Sequence, residues 1–299
     1  MQVGDFFMDK NTVLLAAKLT KQWSYQEQLQ LARLLQAQAT PLPSTWPALN
    51  KWLQQCWPNL ILPASLAAPT MTDHYLTILD ADYPLALAEI FQPPVLLFYA
   101  GHRELLTAEK LAIVGARECT TYSHACLRRL VPDLVQAGIT TVSGLAAGVD
   151  QLVHQETLLA HGATISVIGT GLDVYYPAQN ELLQQLITQK GLLLSEYPPA
   201  TPPRRFHFPQ RNRIIAGLSS GVLVTEARQR SGSLITANLG LQENRNIYAL
   251  PGSLLSPLSA GTNQLLQAGA TPVLTAADIL ADFPNLNGTK NANASLAIK

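Results

Sequence analysis

Two patterns of apolar residues divide the chain. Up to about residue 70, leucines recur at helical spacing among polar positions. From about residue 75, continuous apolar runs alternate with helix-length segments. In the first region, YQEQLQLARLLQAQ over residues 25–38 sets Leu29, Leu31, Leu34 and Leu35 roughly at helical spacing, with glutamines outside. A further helix is predicted to open at Thr45-Trp46-Pro47 with Thr45 as its cap, and Trp46, Trp52 and Trp57 read as core. Residues 63–69, bounded by prolines, read as a linker.

In the second region, the runs at 95–100, 111–115, 140–143, 164–169, 192–196, 222–225, 247–250 and 272–274 predict strands. Residues 123–137, 178–189 and 234–243 predict helices between them. Strands that are apolar throughout and joined by helical crossovers form a parallel sheet covered on both faces. Pro132 falls inside the first of these helices and is expected to kink it. Residues 287–299 are small and polar and read as a disordered tail. The expected organisation is therefore a small all-helical domain over 1–70, an α/β domain over 71–286 and the tail, without an internal repeat.

Composition narrows the setting. Of 299 residues 47% are apolar and 13% charged, which argues against disorder for most of the chain. No run reaches the roughly 18 apolar residues that a membrane span needs, and the first residues lack the basic-then-apolar layout of a signal peptide. Cys56, Cys119 and Cys126 form no CxxC pair; they point to a reducing cytoplasm and away from a disulfide framework or a zinc site. Formal net charge is zero, so nucleic acid would have to be met by a local basic patch.

Such a patch exists. Residues 204–236 hold Arg204, Arg205, Arg211, Arg213, Arg228 and Arg230, half of the arginines in the chain, with Glu226 as the only acid. Phe206, His207 and Phe208 stand among them. Guanidinium forks grip phosphate oxygens at two points, and aromatic rings stack on bases. A phosphate-rich ligand is the first expectation, against a solvated loop with ordinary ion pairs.

Ligands of open parallel sheets bind beyond the carboxyl ends of the strands, and several loops there carry suitable residues. Gly115 permits a tight turn after the strand at 111–115; Arg117 follows, and Thr121 or Ser123 is placed to cap the next helix. Ser143-Gly144-Leu145-Ala146-Ala147-Gly148 is a small-residue loop that lets backbone approach a phosphate. Asp150 reads as a cap or structural acid, four residues before His154, with which it could pair. Ser231-Gly232-Ser233 opens a helix, with hydroxyls that cap it or help hold an anion. Gly261-Thr262-Asn263 precedes a further short helix. Gly169-Thr170-Gly171 lacks the third glycine of the dinucleotide fingerprint and reads as a turn. There is no GxxxxGK[ST] or HExxH. Glu196 and Glu226 follow strands and are expected to pair with arginines, Arg213 being a candidate partner of Glu226.

In order along the chain come IVGAR at 113–117, VSGLAAGVD at 142–150, GTGLDVYYP at 169–177 and LSEYPP at 194–199. FPQRNRIIAGLS at 208–219, SGSLITA at 231–237, PG at 251–252 and GTNQLLQAGA at 261–270 complete the series. Together these motifs resemble the DprA/Smf family of DNA-processing proteins over roughly residues 75–282. The resemblance implies an extended Rossmann-like domain, preceded by a small SAM-like helical domain. It also implies a non-catalytic homodimer without a cofactor that binds and protects single-stranded DNA. Such a mediator loads the RecA recombinase during natural transformation or recombination. The DNA- and phosphate-binding set it implies here is Gly115, Arg117, Ser143, Gly144, Phe208, Arg211, Asn212, Arg213, Ser231, Gly232 and Ser233.

Two departures stand out: Ala147 replaces a residue that is basic in many relatives, and the chain stops too soon for the winged-helix domain of some. The rival reading is a nucleotide hydrolase of a related fold, which uses a PGGxGT loop. Here Pro251-Gly252 runs into Ser253-Leu254, and the Gly-Thr pair is displaced to Gly261-Thr262.

Overall fold

The structure is a computed structural model that describes residues 8–57, 66–68 and 74–283. The predicted tail lies outside the described residues, as does most of the predicted linker. The N-terminal leucines close on one another in α1 (Lys10–Leu19), α2 (Tyr25–Ala37) and α3 (Trp46–Cys56). Local chemistry fixes where two of these helices begin. Ser24 and Glu27 form a reciprocal capping box at α2, and the Thr45 hydroxyl accepts from the amide of Ala48 at 3.4 Å. Leu31, Leu35, Leu49 and Leu53 are buried together, with Trp46, Trp52 and Trp57 packed against them. The helices also lean on the sheet, where Leu15 meets Leu96 and Phe98.

The strands are β1 (Tyr75–Thr77), β2 (Leu96–Gly101), β3 (Lys110–Val114), β4 (Thr140–Ser143), β5 (Thr164–Ile168), β6 (Leu192–Ser195), β7 (Gly221–Val224), β8 (Asn246–Ala249) and β9 (Thr271–Pro272). They form one sheet in the order β1-β2-β6-β5-β4-β3-β7-β8-β9. Only β1–β2 and β2–β6 pair antiparallel. The expected α/β architecture is present, with a short antiparallel edge strand, β1, that the sequence did not suggest.

The remaining helices are α4 (Leu85–Ala88), α5 (Thr121–Gln136), α6 (Val149–Leu159), α7 (Glu181–Lys190), α8 (His207–Leu218), α9 (Gly232–Gln242), α10 (Ala260–Gln267) and α11 (Ala277–Leu280). Alternate residues of one strand serve opposite faces. Ala112 and Val114 of β3 join the core beneath α8 and α9, whereas Leu111 and Ile113 join the core beneath α5 and α6. That double burial is why these strands read as unbroken apolar runs. Gly261-Thr262-Asn263 falls inside the first turn of α10 rather than before it.

From β3 the chain proceeds through β4 and β5 to β6 on one side. It then returns to β7 and continues through β8 to β9 on the other. The topological switch point therefore lies between β3 and β7, and a crevice is expected at their carboxyl ends.

Candidate nucleic-acid interface

A cleft of about 700 Å³ opens at that switch point. Arg117, Arg205, Arg211, Arg228 and Arg230 line it, against the acids Glu118 and Asp150. Two glycines hold its inner loops together. A β-carbon on Gly115 would sit 2.6 Å from both Thr225 Oγ1 and Val149 Cγ2. Gly148 adopts φ +78°, with the carbonyls of Ala116 and Arg117 against it. From β7 the chain runs through Arg228 and Arg230, the latter in the left-handed region at φ 59°, into α9. Ser231 caps α9 by accepting from the amide of Leu234 at 3.4 Å, and its hydroxyl lies 3.0 Å from that of Ser233. Nothing stands within 4 Å of where a Gly232 side chain would be. The positive end of this helix thus faces the cleft.

Helix α8 supplies the opposite wall. Arg211 is 4% exposed, donates through Nη1 to the Val167 carbonyl and lies over Gly144. Burial draws its pKa down to about 10, with Asp150 opposing the shift. Burial raises the pKa of Asp150, while Arg211 and the amides of Ala146 and Gly144 pull it back. Asn212 donates to the Gly232 carbonyl at 3.3 Å and so joins α8 to the start of α9. The Arg117 guanidinium lies 5.7 Å from the centre of the Phe208 ring, and Tyr176 lies 5.3 Å from it by ring centroids. Phe206 is 54% exposed. His207 is buried, donates from Nδ1 to the Gly169 carbonyl at 2.8 Å and stacks on Tyr197.

With this geometry in place, comparison with known proteins decides the relationship. The family model described as DNA recombination-mediator protein A matches residues 74–284. The chain belongs to that family. It is 37% identical over 279 residues to the DNA processing protein DprA of Bacillus subtilis (strain 168), covering 93% of each chain. With DprA of Streptococcus pneumoniae it shares 48% identity over 207 residues, 69% of this chain and 73% of that one. An X-ray structure of Streptococcus pneumoniae DprA superposes with a TM-score of 0.72 at 37% identity, covering 92% of this chain and 98% of that one. A DNA processing protein A from Helicobacter pylori, studied for its single-stranded DNA binding mode, superposes with a TM-score of 0.63 at 32% identity. The match covers 71% of this chain and 96% of that one. The DprA/Smf resemblance and the Rossmann-like fold read from the motifs are both borne out.

Within this DprA fold, the residues singled out from sequence separate into groups. Gly115, Arg117, Phe208, Arg211, Asn212, Ser231, Gly232 and Ser233 all border the cleft. Gly144 borders a smaller side pocket of about 190 Å³ between Arg117 and Tyr176. Ser143 is buried, and its hydroxyl donates to the Ile113 carbonyl at 2.7 Å, so it frames the loop from behind. Arg213 lies outside the cleft, bonded to Glu196 at 2.6 Å.

Several expected pairings differ. Arg213 meets Glu196 and not Glu226, because it projects from α8 towards the end of β6. Glu226 meets no arginine. Its carboxylate accepts from the Thr120 amide and hydroxyl and from the Ser123 hydroxyl, each at 2.8 Å. Thr120, rather than Thr121 or Ser123, caps α5, and Glu226 occupies the anion-seeking end of that helix. His154 bonds through Nδ1 to Thr164 Oγ1 at 2.7 Å instead of pairing with Asp150. The Gly252 amide and carbonyl both engage the Asn263 side chain, at 3.2 and 3.0 Å, so the loop of the hydrolase reading is closed upon itself.

The lining also includes Arg205, Arg228, Arg230 and Tyr176, none of which was named individually in the DNA-binding set. The three arginines belong to the arginine-rich stretch, and weighting that stretch by position after a strand would have found two of them. Tyr176 carried no signal beyond its place in the GTGLDVYYP loop.

Proposed function

We propose that the chain binds single-stranded DNA in the switch-point cleft, protects it and loads the RecA recombinase onto it during natural transformation or recombination. It does so as a cytoplasmic homodimer, without catalysis or cofactor. The observation that carries this reading is the convergence of five arginines on the carboxyl edge of β3 and β7 in a chain of zero net charge. Arg117, Arg205, Arg228 and Arg230 contact phosphates, together with the amides at the start of α9. Phe206 and the Tyr176–Phe208 pair offer rings to bases, each stack contributing about 1–3 kcal/mol. Gly115, Ser143 and Gly144 shape the loops beneath the strand. The N-terminal helices form a small domain ahead of the binding domain and pack against its sheet. The Helicobacter pylori relative, described for its single-stranded DNA binding, supports the ligand class.

The test is fluorescence anisotropy of labelled single- and double-stranded oligonucleotides across a salt series, with wild type and Arg230→Ala. Single strands are expected to bind more tightly. The substitution is expected to weaken binding and flatten the logarithmic salt slope by about 0.7 for one lost phosphate contact. A folded sample that leaves the single strand free at low salt overturns the reading. Recombinase filament assembly on the bound strand then tests the loading step.

A further inference from the structure

Helix α8 is held from behind by two consecutive residues leaving β6. Glu196 Oε2 accepts from Arg213 Nη2 at 2.6 Å, with side chains 10% and 14% exposed. Arg213 Nη1 is also shielded from solvent. Tyr197 stacks on His207 at 3.8 Å between centroids, and its hydroxyl donates to Gln210 Oε1 at 3.0 Å. His207, Gln210 and Arg213 follow one another at three-residue steps along one side of the helix. Phe208, Arg211 and Asn212 occupy the neighbouring side and border the cleft. The rotation of α8 that presents the second set is therefore the rotation that seats the first on Glu196 and Tyr197.

We propose that Glu196 and Tyr197 are positioning residues that clamp α8, and that Arg213 serves DNA binding only through this clamp and touches no phosphate. The inference rests on reading the cleft as the DNA site. Its surroundings favour it. Neither member of the pair lines the cleft, and Lys18 of α1, Tyr25 of α2 and Tyr83 lie close enough to feel their charges.

Two roles for Arg213 predict opposite signs at its partner. Were Arg213 a phosphate contact partly neutralised by Glu196, Glu196→Gln would free it and tighten DNA binding, and Arg213→Gln would flatten the salt slope by about 0.7. A clamp makes Glu196→Gln and Arg213→Gln each weaken binding by about tenfold with the wild-type salt slope, and makes the double substitution no worse than either single one. The charge-swapped protein, Glu196→Arg with Arg213→Glu, is expected to recover part of the loss.

Tyr197→Phe removes only the exposed contact to Gln210 and gives a second, milder variant for which folding is not at issue. Amide hydrogen exchange supplies a readout without DNA: Glu196→Gln and Tyr197→Phe are expected to speed exchange across α8 and leave α5 unchanged. Tightened binding by Glu196→Gln, a flattened slope in Arg213→Gln, or unaltered exchange in α8 overturns the clamp. Wild-type protein that ignores the oligonucleotide overturns the DNA reading itself, a different outcome from any of these.

Discussion

Gly144 lies directly against the guanidinium of Arg211, with no room for a β-carbon between the two. Arg211 cannot swing away freely, because it is buried and bonded to the Val167 carbonyl. Gly144→Ala is therefore expected to push Arg211 off that carbonyl, at a cost of about 1–3 kcal/mol for overpacking. The same shift displaces the cleft wall and weakens single-strand binding. Urea unfolding and oligonucleotide anisotropy read the two effects. A variant as stable and as tight-binding as wild type would show that the arginine has space the structure does not give it.

The buried arginine and those at the rim should behave differently. Arg211 shares a desolvated region with Asp150. Arg211→Ala removes that nearby positive charge and the bond to the Val167 carbonyl, and the expected loss is about 1–3 kcal/mol of stability. Arg228 is exposed at the mouth, so Arg228→Ala should change stability by no more than about 0.5 kcal/mol while lowering DNA affinity. Denaturant midpoints for the two variants, measured side by side, decide whether Arg211 is chiefly a structural cation.

Glu226 ties the end of β7 to the start of α5 through Thr120 and Ser123. Glu226→Gln retains an acceptor oxygen but removes the charge that faces the helix dipole. A loss of about 1–2 kcal/mol is expected, from the helix-end interaction and the weakened charge-assisted hydrogen bonds. Because Glu226 is not part of the cleft lining, the salt slope of DNA binding should match wild type. A changed slope would place this carboxylate in the DNA contact.

The strands were legible because burial on both faces leaves continuous apolar runs, and the cleft loops because small residues and hydroxyls follow those runs. Helix α8 was not. Its first half, HFPQRN, is polar and aromatic, and only Ile214, Ile215 and Leu218 announce a core. The arginine-rich stretch therefore read as a basic surface rather than a helix with two working sides. Direction was lost with it. Arg211 and Arg213 are two residues apart, about 200° around a helix, so one reaches the cleft floor and the other meets Glu196. Residue type alone says nothing of that rotation. The Glu226 cap escaped for a different reason: its partners lie more than 100 residues away.

His154 gives the fold an acid-sensitive point. It is fully buried, and that burial, aided by the charge of Arg211, pulls its pKa from 6.5 down to about 3. In the unfolded chain the imidazole regains its ordinary value. Between these two values the unfolded state binds the proton and the folded state does not, so stability falls as pH drops below about 6.5. The slope is about 1.4 kcal/mol per pH unit. Asp150 works in the opposite sense, since its raised folded pKa favours proton uptake by the native state. That contribution is common to wild type and to His154→Gln and cancels in the difference between them. The variant loses some stability at pH 7 through the contact to Thr164. Its disadvantage relative to wild type should shrink steadily from pH 6.5 to 4.5, by up to about 3 kcal/mol over that window. Urea midpoints at half-unit intervals of pH measure this directly. Parallel curves for the two proteins would mean that His154 takes up its proton in the folded state and is not held neutral beneath β5.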